Sequence, residues 1–175
     1  MDFNGNMRNS FRRSSFGSVN GVIEELVPTR MGNRRYNPCI LFATVEDVSG
    51  NIVNFVITPD TYVVDFTTLS VGMRCTFWYR ADAPTPLIYP PQYNAVVVAQ
   101  DSEDEFVEVG YFNSALINEE QSLRLNIDGT VDVRTTNNQY YQGSPANNNL
   151  VVSYRTSTRS MPAQTTPTSV VVLCE

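Results

Sequence analysis

Residues 75–99 read CTFWYRADAPTPLIYPPQYNAVVVA, and residues 150–174 read LVVSYRTSTRSMPAQTTPTSVVVLC. They can be laid over each other at an offset of 75 without a gap. Tyr79-Arg80 then falls on Tyr154-Arg155, and the Val96–Val98 triplet falls one residue from Val170–Val172. Each segment runs from an apolar strand, through a proline-rich loop, to a valine-rich strand. β-Branched and aromatic residues suit a pleated, half-buried surface, and proline stays out of central strands. A whole series recurring at one spacing is the mark of a duplication. It predicts an all-β chain of two related halves with very little helix.

Strand signals continue upstream. Val19–Leu26 is a short strand, and CILFATVED (39–47) a strongly apolar one. Ser49-Gly50-Asn51 turns the chain into IVNFVIT (52–58), which Pro59 stops. Tyr62–Phe66 reads as a further strand or a single helical turn, and Val71-Gly72 leads into Met73–Tyr79. In the second half, Phe106–Phe112 is a strand. Ser122–Ile127 and Thr130–Thr135 flank Asp128-Gly129, a two-residue hairpin signal. The expected organisation is a flexible basic arm at 1–18, a first β-barrel unit at 19–100, an acidic linker at 101–105 and a second β-barrel unit at 106–175. A unit of about 75 residues with some five short strands suits a small closed barrel, and the OB type is the nearest standard form. Closure also hides valine-rich edges. Residues 59–72 leave little room for the usual OB helix. A β-sandwich of the same strands is the alternative.

Composition narrows the chemistry. The chain has no histidine and no lysine, and all twelve basic residues are arginine. Histidine-based triads, histidine-ligated zinc, Schiff bases and a P-loop are thereby excluded. No CxxC pair occurs, and no apolar run is long enough to span a bilayer. The N-terminus lacks the apolar core of a secretion signal, so synthesis inside the cell without membrane insertion is expected. Cys39 and Cys75 sit in apolar runs and read as core thiols. Cys174 is penultimate and reads as packed as well, with an intermolecular disulfide as the alternative. Residues 1–35 hold Arg8, Arg12, Arg13, Arg30, Arg34 and Arg35 against only three acids, while the remainder carries a net charge of −9. So acidic a body repels phosphate backbones, which disfavours nucleic acid.

With GNIVNFVITPDTYVVD (50–65), PLIYPPQYNAVVVA (86–99) and TRSMPAQTTPTSVVVLC (158–174) in view, the chain resembles a family of small clostridial-type (Firmicute) hypothetical proteins. The resemblance covers roughly residues 20–175 and leaves the arginine-rich arm unmatched. It implies a double unit and a Gram-positive origin, with spore or envelope association as the associated expectation. It supplies no activity and no catalytic residue.

Among candidate contacts, PLIYPPQY (86–93) stands out: Pro90 and Pro91 stiffen it, and Leu87, Ile88, Tyr89 and Tyr93 give it adhesive surface. Phe3, Phe11 and Phe16 in the arm suit an apolar groove on a neighbour, with Arg8, Arg12 and Arg13 meeting its acids. Phe77, Trp78, Tyr79 and Arg80 would make a stacking platform if one face were free. Glu24, Glu25, Glu46, Asp47, Asp60, Asp65, Asp82, Glu119 and Glu120 are scattered and read as solvated surface. The amide-rich stretch 135–149 reads as a loop suited to subunit or glycan contacts. No catalytic residue, cofactor or metal site is expected. The chain thus reads as a non-catalytic structural or self-assembly protein whose partner is itself, as homo-oligomer or polymer. An OB-type binding module for single-stranded nucleic acid or oligosaccharide is the alternative.

Overall fold

The computed structural model describes residues 15–31 and 35–174. The chain divides between Asp101 and Ser102, inside the acidic break, into a first unit, Phe16–Asp101, and a second that takes in Ser102 onward. The all-β expectation holds, and the only helical element among the described residues is a 3-10 turn at Val64–Phe66.

In the first unit, β1 (Phe16–Met31), β2 (Arg35–Asp47), β3 (Ile52–Ile57), β4 (Tyr62–Val63), β5 (Arg74–Arg80), β6 (Gln92–Asn94) and β7 (Val97–Gln100) form one mixed sheet. Its order is β4-β7-β5-β1-β2-β3-β6. β1, β2 and β3 make an antiparallel meander, β5 lies antiparallel to both β1 and β7, and β6 runs parallel to β3. Alternation decides the inward face. Val53, Phe55 and Ile57 of β3 pack with Ala43 and Val45 of β2 and with Cys75 and Phe77 of β5. Burying a side chain such as Phe55 stabilises by roughly 1.5–3 kcal/mol. The 49–51 turn forms as read: Asp47 Oδ1 accepts the N–H groups of Ser49 and Asn51, and Gly50 takes a φ of 83°.

The second unit contains β8 (Phe106–Phe112), β9 (Leu123–Leu125), β10 (Val133–Thr135), β11 (Asn148–Tyr154), β12 (Ala163–Thr165) and β13 (Ser169–Val172). They form a four-stranded sheet, β10-β13-β11-β8, and a two-stranded one, β12-β9. The pairings repeat those of the first unit. β8 is antiparallel to β11, and β11 to β13. β10 lies parallel to β13 as β4 does to β7, and β12 parallel to β9 as β6 does to β3. The counterpart of β2 has shrunk to two bridges, Phe112 to Asn118 and Ile117 to Arg124. The core is Phe112, Leu123, Leu125, Leu150, Val152, Val170 and Val172.

Five expectations need correction. The sheets are mixed, and they do not form closed barrels. The gapless overlay fails by three residues in the last strand, because Phe77 pairs with Val98 whereas Val152 pairs with Val170. The Asp128-Gly129 hairpin does not form: Asp128 Oδ1 takes the Thr130 N–H at 2.8 Å, and the turn sends β9 to β12 and β10 to β13. Cys39 is exposed, not core, because the β1–β2 register jumps from Pro28–Leu41 to Thr29–Asn37 and leaves residues 38–40 looped out. The arm does not reach residue 18, since β1 starts at Phe16 and pairs it with Arg80.

Candidate functional site

The most developed surface of the first unit lies where β5 ends and β6 begins. Strand alternation puts Phe77 and Tyr79 on the inward side of β5, and Tyr93 on the inward side of β6 beside Phe55. The rings form two stacked pairs. Phe55 and Phe77 lie 4.6 Å apart at 14°, and Tyr79 and Tyr93 lie 3.8 Å apart at 13°. Phe55 touches both tyrosines at 6.3 and 6.0 Å, so the ladder runs from the core to the surface. Gly17, opposite Tyr79 on β1, makes this possible: a Cβ there would lie 2.5 Å from Tyr79 Cζ. Burial pushes the Tyr79 hydroxyl pKa up, and the charge of Tyr93 and a hydrogen bond with it add to the effect.

Beyond the tyrosine pair opens a cleft of about 370 Å³. Arg80, Gln92 and Asn94 offer it polar groups, and Pro84, Thr85 and Pro86 wall it. The Arg80 guanidinium sits 5.7 Å over the Phe16 ring. The loop from 81 to 91 then carries its tip into solvent. Leu87 is 103% exposed, Ile88 52% and Tyr89 87%. Proline withholds N–H donors and fixes φ, so the loop keeps these side chains presented instead of folding them inward.

The other sequence candidates fall as follows. Phe3, Arg8, Phe11, Arg12 and Arg13 lie outside the described residues. Phe16 is half-buried in β1 under Arg80. Trp78 and Phe77 are both buried, at 8% and 0%, so the run 77–80 has no free stacking platform at these positions. Cys174 is not packed but an exposed free thiol. Cys75 is buried, and desolvation followed by the charge of Asp101 pushes it up to about 11, which leaves it inert. Among the described residues no group of three or more Cys, Asp or Glu side chains could hold a metal ion, and no helix is long and apolar enough to cross a membrane. In the 135–149 stretch, Arg134 stands 4.3 Å over the Tyr140 ring while bonding Asp132 at 3.1 Å.

One residue escaped the sequence reading. Glu108 pairs with Val152 and so lies on the core-facing side of β8. Burial raises its pKa, and the charge of Glu120 raises it further. The signal was present as a lone acid in the middle of FVEVGYF (106–112).

No family model, no curated protein and no solved structure matches this chain.

Proposed function

We propose that this is a non-catalytic structural protein of two tandem OB-like units that self-assembles through the proline loop of the first. The exposed triad Leu87, Ile88 and Tyr89, on a loop stiffened by Pro84, Pro86, Pro90 and Pro91, carries the reading. Contiguous apolar side chains held in solvent are costly unless a partner covers them. The OB-like assignment is supported by the pairing series. Residues 92–100 bond to β3 on one side, through Ala95 N–H to Val56 O, and to β5 on the other, through Val96 N–H to Trp78 O. A sheet left open at that switch fits a partly open OB barrel. The non-catalytic assignment rests on the missing histidine and lysine. The arm, with Arg8, Arg12 and Arg13, adds a charge-complementary contact to an acidic neighbouring copy. By the clostridial resemblance, such a protein belongs to a spore or cell envelope.

A second reading is favoured by the polar side of the cleft, where Arg80, Gln92 and Asn94 adjoin two tyrosines. These groups also suit an oligosaccharide or a single nucleotide, as in OB-type binding modules.

Light scattering separates the two. The full chain is expected to form multimers, and Leu87→Ser/Ile88→Ser/Tyr89→Ser to shift it toward monomer, with loss of residues 1–14 having a smaller effect. A monomeric parent chain that binds an oligosaccharide or oligonucleotide would overturn the assembly reading in favour of the second.

A further inference from the structure

We infer that the cleft of the first unit is the receptor for the loop tip of a second copy of this chain. Tyr89 enters beside the Tyr79–Tyr93 pair and the proline wall, and the partner copy's Tyr89 does the same in return. This rests on the self-assembly reading and goes beyond it by naming both halves of the contact.

Three observations lead there. First, tip and receptor are parts of one loop. Pro84, Thr85 and Pro86 wall the cleft, and Leu87, Ile88 and Tyr89 follow directly in the chain and stand in solvent. A two-fold dimer requires one self-complementary patch on each copy, and a projection placed next to a cavity is such a patch. Second, the chemistry matches. Tyrosine combines an apolar ring with a hydroxyl that seeks a partner when buried. The cleft provides ring and proline surface for the first, and the Gln92 and Asn94 amides for the second. Its volume of about 370 Å³ is near the lower end of ligand pockets, roughly 300–1,000 Å³. That accommodates a side chain or two. Third, the charge permits it. The chain carries a net charge of −6, so two copies repel over most of their surface. Residues 80–94 hold one base, Arg80, and one acid, Asp82, and are neutral as a segment. Two such loops meet without like-charge repulsion.

The test is a directed cross-link. In a Cys39→Ser/Cys174→Ser background, which removes both exposed thiols, one protein carries Tyr89→Cys and another Asn94→Cys. Both positions are exposed, and circular dichroism checks that each variant is folded. The two are mixed in equal amounts, oxidised and resolved without reductant. The expected product is the mixed disulfide, exceeding either homodimer by roughly tenfold. In parallel, Tyr89→Ala should weaken self-association by roughly tenfold or more, as for a buried aromatic anchor, while Tyr89→Phe keeps most of it. If the parent chain self-associates but the three disulfides form equally or not at all, or Tyr89→Ala associates normally, this inference is overturned and the assembly reading survives. If the parent chain does not self-associate, both fall.

Discussion

In the first unit eleven residues, 81–91, separate β5 from β6, and in the second eight residues, 155–162, separate β11 from β12. The strands around these loops pair in the same order, yet the loops behave differently. The second is laced by its own bonds. Thr158 N–H donates to Gln164 O, Gln164 N–H donates to Thr158 Oγ1, and Ser160 Oγ donates to Pro162 O, all at 2.9 Å. Arg155, the counterpart of Arg80, meets Glu105 at 3.6 Å. Met161 is the one large apolar side chain it exposes. The longer loop of the first unit adds the Leu87–Tyr89 tip and opens the cleft. Two cross-strand pairs repeat the contrast. Tyr79 faces Gly17, where Tyr154 faces Phe106, and Phe77 faces Val19, where Val152 faces Glu108. A shared framework with these exchanges yields one unit whose loop holds Leu87, Ile88 and Tyr89 in solvent beside a cleft, and one whose corresponding loop is tied down by its own bonds.

Substitutions can break or sharpen that contrast. The largest effect is expected at the bottom of the aromatic ladder. Phe77→Ala should destabilise the first unit by about 3–5 kcal/mol in denaturant titration. Val152→Ala, at the corresponding place, removes fewer atoms and should cost less. Next, Gly17→Ala drives a methyl into the Tyr79 ring. It should cost about 1–3 kcal/mol and weaken self-association as the Tyr79–Tyr93 stack shifts. Third, Glu108 is held above the ordinary glutamate value near 4.5, first by burial and then by Glu120. A raised carboxyl pKa favours the folded state in acid, and that contribution is lost as pH rises through the raised value. Glu108→Gln should therefore raise the melting temperature of the second unit at pH 7 and change it little near pH 4. The smallest effect belongs to Arg155→Ala. Its side chain is 68% exposed, so loss of the pair with Glu105 should cost less than about 1 kcal/mol.

Much of the framework was legible in the sequence because the strands announce themselves by alternation or by short apolar runs between turn signals. IVNFVIT buries every second residue as the period-2 pattern requires, whereas CTFWY and LVVSY are apolar runs with consecutive buried residues. What misled was local chemistry overriding pattern. CILF (39–42) looks like continuous core, but a register break expels Cys39. Asp128-Gly129 looks like a hairpin, but partners distant in sequence, β12 and β13, capture the flanking strands. At the candidate site, the proline loop and Tyr93 were readable as a conspicuous composition. The Tyr79–Tyr93 stack and the role of Gly17 were not, because both depend on which residues the sheet sets opposite each other.

The most direct test of the contrast is backbone hydrogen–deuterium exchange followed residue by residue from dilute to concentrated protein. Exchange is expected to slow with concentration at Leu87, Ile88, Tyr89 and residues 92–94, and to stay unchanged at residues 155–161. Equal slowing in both loops, or slowing confined to the second, would contradict the assignment of the contact surface to the first unit.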